Sequence, residues 1–168
     1  MHWFDWLALG IVVVVTILQT VRGVKAEGMG LPFFEAVGLV VSAVTSVHLS
    51  GPVAQALHMQ KGTVMIIIFL ILGVLSFVLA RWLFSLTAFS FQSLDGFFSF
   101  LFGVAAGWTI ANMVLRIIIE SQGMNGEVAT LAASSPVARE VYSFRTWNAL
   151  MRLLFRAKLG PDFNPDIG

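Results

Sequence analysis

The chain has 168 residues, of which 58% are hydrophobic and 11% charged, with a net charge of +1. A water-soluble domain of this size needs far more charge to cover its surface, so the composition excludes one and calls for lipid as the solvent. Cysteine is absent, which removes disulfides, thiolate nucleophiles and cysteine-ligated metal or iron–sulfur centres.

Crossing the hydrocarbon core takes about 20 largely apolar residues, with a range of about 17–25. The first segment of that kind is residues 3–21, "WFDWLALGIVVVVTILQTV". It lacks the basic start and small-residue cleavage site of a signal peptide, and reads as a retained span. Trp3 and Trp6 suit the interface, where an indole meets headgroup and acyl chain together. Asp5 stands at the start, where a carboxylate can cap exposed N–H groups and meet the positive end of the helix dipole. Gln19, with Thr16 and Thr20, marks a helix-contact surface near the exit.

After the glycine- and charge-rich linker "RGVKAEGMG", the second span covers residues 31–49. Glu35, Gly38, Ser42, Thr45 and Ser46 recur at helical spacing on one face. Such a face turns toward other helices, because small residues allow close backbone approach and hydroxyls can bond across the contact. It serves either packing or the lining of a polar pathway. Glu35 lies near the start of its span, where a charge is least costly.

The third span lies between Lys61 and Arg81 and is the most uniformly apolar, with Gly73, Ser76 and Ala80 as its small face. The fourth covers residues 96–119 and opens on Asp95, a second candidate N-cap, with Ser93 beside it. Gly96, Ser99, Gly103, Gly107 and Ala111 form a small-residue stripe. Asn112, Arg116 and Glu120 follow at intervals of four, so Arg116 can snorkel from the span end with Glu120 as an ion-pair partner. Short connections predict that neighbouring spans pack as antiparallel hairpins.

Beyond Glu120, "SQGMNGEVATLAAS" reads as a loop or a frayed helix. Ser135 is then a candidate N-cap and Pro136 the first helical residue. From there Val137, Val141, Phe144, Trp147, Met151, Leu154 and Phe155 share one side of a helical wheel, with Arg145, Arg152 and Arg156 on another. This amphipathic helix either lies in the membrane interface or packs on the body; both bury the same face. "GPDFNPDIG" reads as an irregular end. The fold class is therefore an all-α membrane protein: four transmembrane helices within residues 1–120, and a polar loop, an amphipathic helix and an irregular end within 121–168.

Catalytic patterns are missing. His2, His48 and His58 are scattered; His48 and His58 flank "SGPVAQAL", read as a connection, and could approach each other. No metal-ligand spacing, nucleophile elbow, phosphate loop or dinucleotide glycine pattern occurs. The expectation is a protein that is not an enzyme, has no cofactor or metal, and does not bind nucleic acid. Half of the ten Lys and Arg follow residue 138, a basic tail suited to an anionic membrane surface.

Four stretches resemble the colicin V production protein (CvpA-like) family: "FDWLALG", "RGVKAEGMGLPFFEAVGLVVS", "LDGFFSFLFGVAAGW" and "SSPVAREV", which together reach across residues 3–145. Asp5, the pair Arg22 and Gly23, Glu35 with Gly38, and Asp95 with Gly103 and Gly107 carry the likeness. Glu27 and Glu35 compete for the acid expected after the arginine–glycine pair. The resemblance implies a bacterial inner-membrane protein of four spans, linked to production or export of a peptide toxin and to envelope maintenance. It implies no chemistry for particular residues.

Arg22 and Lys25 in the first loop and Arg81 beside the third, against Lys61 in the second, place both ends outside the cytoplasm by the positive-inside rule. The basic tail argues the other way, while some family members continue into an extracytoplasmic protease domain. The functional expectation is a non-enzymatic protein that self-associates or joins other membrane proteins through its small-residue faces. The alternative is a small channel or transporter component whose polar path includes Glu35, Ser42, Thr45, Asn112 and Arg116.

Overall fold

The computed structural model describes residues 2–88, 90, 93–123 and 126–144, excluding the side chains of residues 26 and 27. All regular structure among them is helical: α1 (Trp3–Arg22), a π-helical turn (Gly23–Glu27), α2 (Gly30–Leu57), α3 (Lys61–Thr87), α4 (Asp95–Gln122), α5 (Glu127–Ser134) and α6 (Pro136–Ser143). The chain is an all-α protein in which α1 to α4 are long and apolar enough to cross a membrane.

α1 packs along α4 and α2 along α3, while α2 and α4 meet in the middle. The expected hairpin of the first two spans is therefore corrected: the long partner of α1 is α4, far away in sequence. Close approach explains the choice. A Cβ on Gly107 would stand 2.9 Å from Val12 Cα, and one on Gly103 would stand 3.0 Å from Thr16 Cα, so only glycine allows these backbones to meet. Toward the other end Gly96 lies against Val24, and the side chain of Ser99 occupies the space beside Gly23. This register is antiparallel, and it brings Trp3 level with Arg116.

α2 runs to Leu57, eight residues beyond its expected end, with Pro52 inside it. "SGPVAQAL" is thus helix and not a connection. Proline removes one helical N–H, a small loss in the exposed last turns. His48 and His58 consequently sit ten residues apart on one helix axis, about 15 Å, and do not approach. Gly38 packs on Ser76 of α3.

α4 has 28 residues and is about 42 Å long, more than the hydrocarbon thickness of about 30 Å. Its C-terminal turns overhang the start of α1, and α5 and α6 fill the corner. Phe4, Ala8, Ala111, Leu115, Ile119, Val128, Ala132, Ala138 and Val141 form one apolar cluster there. "EVATLAAS" is mostly helical as α5. α6 stops at Phe144, whose φ of 50° is left-handed, so the long C-terminal helix expected from residue 136 is interrupted at that point. Its face of Ala138, Val141 and Tyr142 is buried on the bundle. Trp147, Met151, Leu154, Phe155, Arg145, Arg152 and Arg156 lie outside the described residues.

Candidate functional site

Polar side chains in the spans gather at the two ends of the α1–α4 pair. At the first end, Asp5 is fully buried. One carboxylate oxygen accepts the His2 N–H at 2.7 Å; the other accepts the Ser135 hydroxyl at 2.5 Å and the Ala138 N–H at 3.2 Å. The N-cap assignments are thereby refined. His2 is the N-cap of α1, with Asp5 in its first turn reaching back to it. Ser135 is the N-cap position of α6, but its hydroxyl is turned to Asp5, and the Asp5 carboxylate supplies the cap. The reason is charge: a carboxylate is the stronger acceptor for N–H groups at a helix start.

α4 holds the other end of α6. Asn112 Nδ2 donates to the carbonyls of Val141 and Tyr142, both at 2.9 Å, satisfying acceptors that a helix C-terminus leaves open. Arg116 Nε donates to Asn112 Oδ1 at 3.0 Å, and its guanidinium lies 4.4 Å from the centre of the Tyr142 ring. Glu120, expected to pair with Arg116, forms its salt bridge with Lys61 of α3 at 2.6 Å.

The second end has the same plan. Asp95 is the first residue of α4, with Leu94 as N-cap. Its carboxylate accepts the Met29 N–H at 3.1 Å and the Ser90 hydroxyl. It therefore holds the start of α2 rather than simply capping its own helix. Gly28 makes this turn possible: its φ is +57°, and a Cβ there would stand 2.9 Å from Ser90 Cβ. Gln19 Nε2 donates to Glu35 Oε2 at 2.6 Å, and Arg22 Nη1 reaches the same oxygen at 3.1 Å. Glu35 is 1% exposed. Each aspartate thus grips the helix that follows the other span, and an amide–arginine pair on each span grips the helix that follows its own.

The candidate residues do not form one site. Asn112 and Arg116 serve the first end; Glu35 and Asp95 serve the second. Gly96, Gly103 and Gly107 line the α1–α4 contact. Gly38 and Ser42 border an open groove of about 320 Å³ between α2 and α3, with Thr45, Ser76 and Leu79. Most span hydroxyls bond their own helix: Ser42 donates to the Gly38 carbonyl, Ser46 to Ser42, Thr16 to Val12 and Ser76 to Gly73. Sequence reasoning did not join Gln19 and Arg22 to Glu35. Their shared helix face at the span exit was the available signal.

Among the described residues no three His, Asp or Glu stand close enough to hold a metal ion. Two buried polar atoms at the second end have no hydrogen-bond partner in the protein, Gln19 Oε1 and Ser99 Oγ. No protein-family profile matches the chain, and comparison with curated proteins and with solved structures finds no match.

Proposed function

We propose that this is a non-enzymatic protein of the bacterial inner membrane that supports peptide-toxin production or export and envelope maintenance by assembling with other membrane proteins. The family resemblance supplies the biological setting. The observation that carries the mode of action is how the intramembrane polar groups are used: Asp5, Asn112, Arg116, Asp95 and Glu35 hold helices of the same chain together. Among the described residues of the spans, what is left to meet other proteins is mainly apolar surface. The small-residue contact suited to a partner helix is then the α2–α3 groove, because Gly103 and Gly107 are covered by α1.

Mild-detergent purification from native membranes tests this reading. Thr45→Trp and Leu79→Trp obstruct the groove from its open side and are expected to abolish co-purification of the partner and the envelope phenotype, while the monomer stays folded. Intact assembly in both variants would overturn it.

One observation favours a channel or transporter component instead: the buried Glu35 carboxylate lies at the same end of the α1–α4 pair as two polar atoms without protein partners. That reading requires purified protein in liposomes to move ions and Glu35→Gln to change the flux.

A further inference from the structure

The Gln19–Glu35 corner contains more polar capacity than the protein itself uses. Glu35 is 1% exposed, Gln19 is 5% exposed and Ser99 is fully buried. The Gln19 amide is fixed by its bond to Glu35, so its carbonyl oxygen is the acceptor left over. Ser99 Oγ lies against Gly23, one turn beyond Gln19 on α1, while Gln19 lies against Gly103, one turn beyond Ser99 on α4. Gln19 and Ser99, the residues that carry the two orphan oxygens, thus stand about a turn from each other across the same seam. A buried polar atom with no partner is costly, and a bound water or ion is one of the few ways a native protein satisfies it.

The chain geometry around this corner is also unusual. α1 does not end in an ordinary cap but passes into the π-helical turn Gly23–Glu27, directly beside Ser99. Local π-helix is rare and concentrates at functional positions. Of the groups present, carboxylate, amide carbonyl and hydroxyl are all hard oxygen donors, the set that suits hard cations. The chain has no cysteine, and among the described residues no imidazole joins a metal-ligating group with them.

We infer that Glu35, Gln19 Oε1 and Ser99 Oγ form a binding site for a small monovalent cation such as sodium, which exchanges with the Arg22 guanidinium on Glu35. Arg22 is the mobile member of the set. Its side chain is 33% exposed, against 1% for Glu35, and it springs from the last residue of α1. From there it can swing to the headgroup layer, as long basic side chains at span ends do. Its departure alone would leave a buried, uncompensated carboxylate, which is strongly unfavourable. A cation entering among the three oxygens removes that penalty, so the two events are coupled: cation in, guanidinium out. The net charge of the corner is unchanged by the exchange. The site stands independently of the assembly reading, and it does not require that ions cross the bilayer.

The test uses the full chain in detergent micelles, unfolded by heat in sodium chloride, potassium chloride or choline chloride at equal ionic strength. Sodium is expected to raise the midpoint saturably, and choline, too large for the corner, to leave it unchanged. Arg22→Gln removes the internal competitor and is expected to lower the half-saturating sodium concentration about tenfold, whereas Ser99→Ala raises it by a similar factor. Glu35→Gln is expected to abolish the response; should that variant fail to fold, Ser99→Ala carries the same test. Identical midpoints in all three salts, for the wild type and Arg22→Gln alike, would overturn the site and leave a buried water as the occupant.

Discussion

The carboxylate of Asp5, in the first turn of α1, accepts the Ala138 N–H in the first turn of α6, 133 residues away. Asp95, at the start of α4, accepts the Met29 N–H at the start of α2. Because α1 and α4 run antiparallel, these two caps sit at opposite ends of the bundle. The two contacts follow one plan in opposite senses, Asp5 of α1 holding α6 and Asp95 of α4 holding α2, and α3 takes part in neither.

The two caps should act separately. Asp5→Ala leaves the Ala138 N–H and the Ser135 hydroxyl without their acceptor, at a cost of about 1–3 kcal/mol. Hydrogen exchange should quicken at residues 137–140 and stay unchanged at 28–31. Asp95→Ala should give the opposite pattern. Shared effects at both places would mean that the ends are not independent.

Glycine at the α1–α4 contact should tolerate no side chain. A Cβ at Gly107 meets backbone, Val12 Cα and O, which cannot move aside. Gly107→Ala is expected to destabilise by about 1–3 kcal/mol in a denaturation series. Gly73 has nothing within 4 Å of such a Cβ; since alanine is the better helix former, Gly73→Ala should stabilise by about 0.5–1 kcal/mol. Equal effects of the two changes would refute the packing argument.

Tyr142 is the sole tyrosine and is buried, which makes it a reporter for the docking of α6. Asn112→Leu removes both donors to the Val141 and Tyr142 carbonyls, and Arg116→Lys removes the planar group over the ring. Both should raise the nitration rate of Tyr142 severalfold, the first more than the second. Unchanged rates would mean that these contacts do not hold α6.

The Lys61–Glu120 bridge, by contrast, should matter little. Its side chains are 45% and 19% exposed, so Lys61→Met is expected to change stability by less than about 1 kcal/mol. A larger loss, measured by the same denaturation series, would show that the pair lies in a drier setting than its exposure indicates.

The four spans were legible because lipid imposes one requirement on each segment independently: enough apolar length to cross. Gly51 and Pro52 hid the true end of α2, since both look like turn residues and the helix simply continues past them. The small-residue stripe on α4 announced a close contact but not its partner, because a stripe records closeness and nothing about which helix comes near. The acids were hardest. A helix-start carboxylate looks the same whether it caps its own helix or another, and the choice depends on segments 66 and 133 residues away. Likewise, nothing local to Glu35 revealed that Gln19 and Arg22 would meet it.

The pairing of α1 with α4 also fixes an order of events during synthesis. The α2–α3 hairpin can close as soon as both helices are made, since its contacts are local. α1 emerges first yet has no long partner until α4 follows, and Asp5 meets its last ligand only when Ala138 appears. The first of these four spans therefore waits longest for its long partner. A nascent chain halted before Asp95 would carry the α2–α3 hairpin with the first span tied to it only through Gln19 and Arg22 on Glu35, its long face uncovered until the fourth span arrives.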